Sequence, residues 1–153
     1  MNARENVRLK NAKGEVIYEG DLRSNTEDLN LREAVLEGLN LQGAHFDDAN
    51  LEGANLRRAD LYWATFFRAN LTGADLEGAQ LQGADLKNAN FTNANLRNAN
   101  LGKDNVGGST QLQGAIFDGA VLQGANLESA EYNAHTIFPQ NFDPAKFKML
   151  LRE

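Results

Sequence analysis

The sequence predicts an all-β protein built as a β-solenoid, and its five-residue period is the main reason. Large apolar residues recur at every fifth position from Leu41 to Leu101, and alanine stands two positions before nearly all of them. Five residues turn an α-helix by about 500°, which would spread the large residues around the helix. On a straight strand an odd step reverses the face each time. Short extended segments joined by two-residue corners satisfy the period instead.

Each five-residue unit assigns its side chains to the inside or the outside of the coil. The Leu or Phe and the preceding Ala lie on the same side of a three-residue extended segment. The residue between them and the two corner residues face solvent, and these are mostly Asn, Asp, Gly, Gln, Arg and Thr. Repeated bends in one sense stack successive turns of the chain and bury a continuous column of leucines.

The stretch ADLEGAQLQGADLKNANFTNANLRNANLG closely follows the pattern A(D/N)LXX. In this the chain resembles the pentapeptide repeat family over residues 38–137. The resemblance implies a right-handed quadrilateral β-helix with four units, or 20 residues, in each coil. About five coils stacked at about 4.8 Å would form a rod roughly 24 Å long. Stacking partners are therefore expected 20 positions apart.

Residues 1–37 are predicted to cap the N-terminal end of the coil. The sequence VRLKNAKGEVIYEG is typical of a β-hairpin with its turn at Gly14. For residues 30–37 two interpretations compete, a short helix or an extra pair of repeats through Leu31 and Leu36. We expect the helix, because the segment is rich in helix-forming residues and lacks corner glycines.

Residues 138–153 are predicted to form a helix that caps the C-terminal end. Asp143 is a suitable N-cap, and Pro144 suits the first helical position. An apolar stripe would cover the last coil or join two chains, and its members are Phe147, Leu150 and Leu151. Some members of the resembled family pair through their C-terminal ends. We therefore expect a monomer or a weak dimer formed through this end.

One interruption breaks the rhythm of the repeats. The sequence GKDNVGGSTQ follows Leu101, and the period resumes at Leu112, one position late. We interpret residues 105–111 as a bulged corner with one inserted residue. Surface loops commonly tolerate such insertions, although loops on rigid scaffolds also carry function.

The sequence contains no combination of residues typical of an enzyme or a metal site. It has no cysteine and two histidines, and its serines lie outside the nucleophile-elbow motif. His45 beside Asp47 and Asp48 supplies too few convergent ligands to hold a metal. We therefore expect a protein that is not an enzyme and that uses no metal or cofactor.

Length and composition are typical of one soluble globular domain. It has 153 residues, of which 42% are hydrophobic, and a formal charge of −6. It has no apolar run long enough to span a membrane, and its start lacks the apolar segment of a secretory signal. These features predict a cytoplasmic protein without a membrane partner.

Charge bears on one function that the resemblance implies, because family members that confer fluoroquinolone resistance are thought to mimic DNA and occupy gyrase. Residues 38–137 hold eleven acidic and six basic side chains, whereas ~24 Å of duplex carries roughly 14 phosphates. The stacking distance also predicts a ladder of alternating sign, formed by Glu37, Arg57, Glu77, Arg97 and, after the interruption, Asp118. Interleaved arginines are a poor imitation of DNA, and we expect no nucleic-acid partner.

Three aromatic residues occupy outward positions that elsewhere hold small polar residues. Phe66 takes an inward position, whereas Tyr62, Trp63 and Phe67 fall at corners. Exposed clusters of Trp and Tyr are enriched at binding hot spots. We interpret these three residues as a candidate protein-binding patch. The alternative is that the rings pack over corners or against the N-terminal cap.

Three hypotheses of function follow from these features. The first is a rigid scaffold that binds another protein, whose identity the sequence does not give. The second is a DNA-mimicking inhibitor or protector of gyrase or another topoisomerase. The third is a purely structural domain.

Overall fold

The computed structural model describes residues 6–24 and 28–153, so part of the predicted N-terminal cap lies outside the described residues. Its named elements are β1 (Val7–Lys10), β2 (Val16–Gly20), β3 (Glu131–Tyr132), a 3-10 helix (Pro144–Phe147) and β4 (Leu150–Leu151). Most of the chain between β2 and β3 consists of single-residue parallel β-bridges separated by turns. This is the expected pattern of short extended segments and corners.

The bridges fall into four columns, which form the four walls of the coil. Wall 1 consists of Asn30, Asn50, Asn70, Asn90, Ile116 and Ile137. Wall 2 consists of Val35, Asn55, Asp75, Asn95 and Val121. Wall 3 consists of Asn40, Asp60, Gln80, Asn100 and Asn126. Wall 4 consists of His45, Thr65, Asp85, Gln111 and Glu131. Most neighbours within a wall are 20 residues apart, as the sequence predicts.

Hydrogen bonds at each corner explain the residue preferences of the repeat. The corner is a β-turn in which the inward Ala donates to the preceding inward Leu, as Ala44 N does to Leu41 O at 3.0 Å. The residue before that Ala has positive φ, which glycine adopts freely, as at Gly43 with φ 64°. The outward Asn or Asp accepts the backbone N–H two positions on, as Asn70 does from Thr72 at 3.1 Å.

The core is a continuous column of inward side chains. Leu76 and Phe66 are fully buried, as are nearly all the other inward Leu, Phe and Ala residues. Phe66 stacks on Phe46 with ring centroids 4.9 Å apart. Because burial of one Leu or Phe side chain contributes about 1.5–3 kcal/mol, this column is the main source of stability.

Residues 30–37 form repeat units, so the predicted helix is wrong and the alternative interpretation is correct. Asn30 and Val35 each form a parallel bridge to the next coil. Leu31 and Leu36 are fully buried at the inward positions. Helix propensity is a weak preference that tertiary burial readily overrides, and here the five-residue spacing of the two leucines decides the structure.

The predicted hairpin is present, with β1 and β2 paired antiparallel. Gly14 lies in its turn with φ 82°. The hairpin joins the coil at wall 2, where Val35 N donates to Lys10 O at 2.8 Å. Val7 and Leu9 on the inner face of β1 are buried. The hairpin thus covers apolar surface at the N-terminal end of the coil.

The C-terminal helix predicted over residues 138–153 is only one 3-10 turn. Asp143 accepts the N–H of Ala145 at 3.1 Å, and Pro144 takes the first position, as the sequence predicts. Lys148 then adopts the left-handed conformation, with φ 53°, and ends the turn. β4 follows and pairs in parallel with β3, which adds a rung to wall 4.

A stack of aromatic rings covers part of the C-terminal end in place of the predicted helix stripe. Phe117 stacks on Phe91 at 4.9 Å in the core. Phe138 follows at 6.0 Å from Phe117, Phe142 at 4.7 Å from Phe138, and Phe147 at 4.6 Å from Phe142. Phe147 therefore packs in this aromatic stack, whereas Leu151 is 63% exposed.

The interruption inserts six residues into one coil, so the predicted one-residue bulge is wrong. Asp85 pairs with Gln111, and Asn100 pairs with Asn126, a step of 26 residues instead of 20. Six residues are one whole five-residue unit plus one residue. A whole added unit does not shift the five-residue period, so the sequence shows only the sixth residue as a delay of one position.

The longer insertion also changes the predicted charge ladder. The corners that carry Glu37, Arg57, Glu77 and Arg97 stack in one column, but Gln123 follows Arg97 there. Asp118 lies instead on the column after wall 1, where its carbonyl accepts Asn93 N at 2.9 Å. Asp118 is therefore not part of the ladder.

Candidate protein-binding face

The three predicted binding residues lie at the two edges of wall 4. Tyr62 and Trp63 form the corner that precedes this wall, and Phe67 begins the corner that follows it. Thr65 is the wall residue between them. Four residues of extended chain span at most about 14 Å, so one protein partner could contact both edges at once.

Trp63 has an unusual backbone conformation for a bulky residue. Its φ is 57°, in the left-handed region that costs an ordinary residue about 1–2 kcal/mol. The indole packs close to Gly83 of the next coil, where a Cβ atom would lie 2.5 Å from Trp63 Cδ1. Tyr62 packs edge-on against the indole, with centroids 4.8 Å apart. Trp63 nevertheless stays 50% exposed.

The interruption, residues 102–109, folds back onto these two rings, and we call it the clamped loop. Trp63 Nε1 donates to Asp104 Oδ2 at 2.6 Å. The Tyr62 hydroxyl donates to Asn105 Oδ1 at 2.9 Å and accepts Asn105 N at 2.8 Å. The rings therefore pack on the clamped loop and, for Trp63, over the Gly83 corner, as the corner form of the alternative interpretation expected, and not on the N-terminal cap.

The Asp104 side chain stabilises the clamped loop by accepting hydrogen bonds from the backbone of the same loop. Its side chain is buried, and its Oδ1 accepts the N–H groups of Val106 at 2.9 Å and Gly108 at 2.6 Å. The Trp63 hydrogen bond, supported by these backbone N–H groups, holds the pKa of Asp104 below its usual value despite the opposing effect of burial. The carboxylate is therefore ionised at neutral pH, the form that accepts most strongly.

Thr110 lies where the chain returns from the clamped loop to wall 4. Its side chain is fully buried in a position where the repeat places Ala. The hydroxyl accepts Gly83 N at 3.1 Å and lies 3.0 Å from the carbonyls of both Leu81 and Gly102. The hydroxyl thus replaces the main-chain carbonyl of the next coil that accepts this N–H at regular corners, as Thr92 O does from Gly73 N.

Sequence reasoning did not find the roles of Asp104 and Thr110. A polar residue in the place of an inward Ala was a usable signal for Thr110. Nothing local marks Asp104, because its partner Trp63 lies 41 residues earlier in the chain.

Phe67 at the other edge of wall 4 is partly covered. The guanidinium carbon of Arg68 lies 4.9 Å from the Phe67 ring centroid. Arg68 also forms two hydrogen bonds of 2.7 Å with Asp48, which hold the pKa of that carboxyl below its usual value. Phe67 N donates to Asp47 Oδ1 at 2.8 Å. This edge therefore combines an aromatic ring with a fixed ion pair.

Polar side chains occupy the wall between the two edges. His45 Nδ1 lies 3.2 Å from Thr65 Oγ1, and Lys87 forms an ion pair of 3.1 Å with Asp85. A groove of about 650 Å³ adjoins the first edge, and its lining residues are Gln42, Tyr62, Trp63, Gln82, Lys103, Asp104 and Asn105. The face therefore offers exposed aromatic carbon beside fixed polar groups.

Within residues 6–24 and 28–153, no group of three or more His, Cys, Asp or Glu side chains is placed to hold a metal ion. Over the same residues, no helix has the length and apolar character needed to cross a bilayer.

The five-residue repeats match a known family of repeat proteins. The sequence model for pentapeptide repeats matches eight copies over residues 30–66, 64–102 and 109–131, which is more than half of the chain. The chain belongs to the pentapeptide repeat family. In this pentapeptide repeat protein the match begins at residue 30, where the structure places the first wall residue. Its gap between residues 102 and 109 falls on the clamped loop.

Solved structures of other pentapeptide repeat proteins are similar to this one. A protein from the cyanobacterium Cyanothece 51142 is 26% identical with a TM-score of 0.58, over 90% of this chain and 79% of that one. A protein from Nostoc Pcc 7120 is 38% identical with a TM-score of 0.39, over 72% and 83%. One from the Arabidopsis thaliana thylakoid lumen is 36% identical with a TM-score of 0.45, over 71% and 66%. No curated protein matches the chain.

Proposed function

We propose that this pentapeptide repeat protein is a non-catalytic cytoplasmic scaffold that binds another protein through wall 4 and its two edges. The observation that carries the proposal is the replacement of small corner residues by Tyr62, Trp63 and Phe67 on both sides of one wall. Trp and Tyr are enriched among residues that dominate binding energy.

The rigidity of the face supports this proposal. Trp63 keeps a left-handed backbone and a hydrogen bond to buried Asp104 while half of its surface remains exposed. A surface that is already ordered loses little conformational entropy when a partner binds, so more of the contact energy contributes to affinity. A strained, half-exposed tryptophan is thus easier to explain at a binding face than on an inert surface.

Ion pairs on the other walls do not favour the DNA-mimic alternative. Arg57 pairs with Glu77 at 2.9 Å and with Asp75 at 3.0 Å. Arg58 pairs with Glu37 at 2.8 Å. Basic groups placed within the acidic columns interrupt the regular negative charge that a duplex presents.

We propose further that the protein is a monomer or forms a weak dimer through its C-terminal end. Among the described residues, walls 2 and 3 end at Val121 and Asn126 without a further bridge, whereas walls 1 and 4 continue. An uncovered sheet edge can pair with another chain.

The proposed function is tested by affinity capture from the source cell, followed by measurement of the dissociation constant of the captured partner. The variant changes Tyr62→Gln, Trp63→Gly and Phe67→Glu together. Since a hot-spot residue contributes about 2 kcal/mol or more, binding should weaken at least about 30-fold. Circular dichroism and urea melts must show that the coil remains folded.

A matched control changes Arg97→Gln and Asn98→Gly, at the corner between walls 2 and 3, and should leave binding unchanged. Equal binding by the triple variant and wild type would contradict the use of this face. Gyrase supercoiling assays at micromolar protein test the alternative, which is removed if they show no inhibition.

A further inference from the structure

The groove beside Trp63 and the adjoining tip of the clamped loop present hydrogen-bond acceptors that have no donor within the described part of the chain. Several donors of the groove are used inside the protein, since Trp63 Nε1 donates to Asp104 and Asn105 N donates to Tyr62. Gln42 Nε2 donates to an Asp side chain at 2.6 Å. The remaining free groups therefore select a ligand that is rich in donors.

Several acceptors at the groove and the adjoining tip of the clamped loop have no donor. In the described part of the chain, the main-chain carbonyls of residues 105–107 receive no hydrogen bond. Gln82 Oε1 lies beneath the groove without a partner. On the described lining, the Lys103 ammonium and the Asn105 Nδ2 group have no acceptor within the protein, and the Gln42 and Gln82 amides each use one of their two N–H donors. Among the described residues, four acceptor atoms at the groove and the adjoining loop tip are thus without a donor.

The Trp63 indole adds a platform for a cation. The ring packs against Gly83 on one side and is 50% exposed overall. A cation above the face of Trp is attracted by the quadrupole of the ring, and Arg forms this contact more often than Lys. The planar guanidinium can stack on the indole and direct its five N–H donors outward to acceptors around it.

We propose that this groove binds an arginine side chain of the partner protein, with the guanidinium stacked on Trp63 and donating to the carbonyls of the clamped loop. This inference rests on the proposed function and names the chemistry of the partner. The formal charge of −6 favours a cationic ligand. Lys103 opposes it at short range, and its removal should therefore strengthen binding.

The test is an NMR titration of the isotopically labelled full chain with N-acetyl-arginine amide, and with N-acetyl-citrulline amide as the uncharged, nearly isosteric control. Arginine amide should shift the Trp63 indole N–H and the backbone amides of residues 106–108 in a saturable way at millimolar concentration. Citrulline amide should bind at least fivefold more weakly. No shifts, or equal shifts with both probes, would overturn the inference.

Two variants sharpen the titration without touching the ring. Lys103→Gln should tighten arginine-amide binding about twofold to threefold by removing a like charge from the groove. Arg97→Gln, at the corner between walls 2 and 3 and outside both the groove and wall 4, should leave it unchanged. Equal effects of the two variants would mean that only the net charge of the protein matters, which contradicts a specific site.

The two proposals can fail separately. If the triple variant loses its partner but arginine amide does not bind, the arginine inference is wrong and the binding face stands. If arginine amide binds at Trp63 but partner affinity is unchanged in the triple variant, the groove recognises a guanidinium, but the partner uses neither the groove nor wall 4, and both proposals about the partner are wrong.

Discussion

The regular coils and the clamped loop are ordered in different ways. Over residues 41–101 every unit repeats the same inward pair, and at every corner the inward Ala N donates to the preceding inward Leu or Phe carbonyl. The clamped loop instead depends on single groups, chiefly the Asp104 carboxylate and the Thr110 hydroxyl. The walls are thus stabilised by many equivalent contacts, whereas one substitution can release the loop.

A second departure from the rhythm resembles the first. The wall residues Glu131 and Ile137 are six positions apart instead of five. Thr136 Oγ1 lies 3.0 Å from Leu112 O and 3.2 Å from Gly114 N, much as Thr110 does at Leu81 and Gly83. Both corners have the sequence Leu-Gln-Gly. At both places where extra residues interrupt the period, a threonine hydroxyl therefore accepts the corner N–H of the preceding coil.

The largest effect is expected from a charge in the regular core. Leu76→Asp places a carboxylate without a partner at a fully buried position, and should prevent soluble folding or cost several kcal/mol. Leu76→Met keeps the volume and should cost less than about 1.5 kcal/mol. Circular dichroism and urea melts compare the two. A Leu76→Asp protein as stable as wild type would mean that the inward register is wrong.

A smaller loss is expected from Thr110→Val, which keeps the shape and removes the hydroxyl. Gly83 N and the carbonyls near it would lose a buried partner, at a cost of about 1–3 kcal/mol in the free energy of unfolding. Thr92→Val is the matched control, because its hydroxyl bonds only the partly exposed Asn90 side chain. If urea melts show the same loss for both variants, Thr110 has no special role in closing the wall.

The sequence predicts the regular coils well and the irregular segments poorly. The period predicts the inward residues, the corners and the 20-residue stacking, because each is repeated many times. It does not predict the six-residue insertion, since a whole added unit leaves the rhythm unchanged and only the sixth added residue shifts it. The helix expected at residues 30–37 shows that helical propensity is a poor guide where Leu31 and Leu36 already follow the period.

The candidate site likewise has a part that the sequence predicts and a part that it does not. The corner positions of Tyr62, Trp63 and Phe67 could be assigned from the sequence, because they belong to the period. Their separation onto two edges follows once the walls are known. The contacts with Asp104 and Asn105 could not be assigned, because a loop that folds back over two coils obeys no repeat.

The smallest effect on stability is expected from a substitution in the charge ladder. Arg57 pairs with Glu77 and Asp75 on the surface, and these carboxylates raise the pKa of its guanidinium, with the Asp75 hydrogen bond as the main cause. Exposed pairs contribute little because water and salt screen them. Arg57→Gln should therefore shift the urea midpoint by less than the experimental error. A loss comparable with that of Thr110→Val would show that the ladder, and not the core, holds the walls together.

The most direct test of the ordered binding face is the NMR signal of the sole indole N–H as the pH is lowered. The hydrogen bond from Trp63 Nε1 to Asp104, at 2.6 Å, should place this signal downfield at neutral pH and slow its exchange with water. Because the pKa of Asp104 is lowered by folding, the stabilisation is present above its unfolded pKa of about 3.9 and is lost as the pH falls through the folded value. The signal should therefore stay constant from pH 7 to about pH 4 and move upfield below that range, and Asp104→Ala should show the upfield position already at pH 7. An indole signal at the free-tryptophan position, exchanging rapidly at pH 7 in the wild-type protein, would contradict a loop clamped on Trp63.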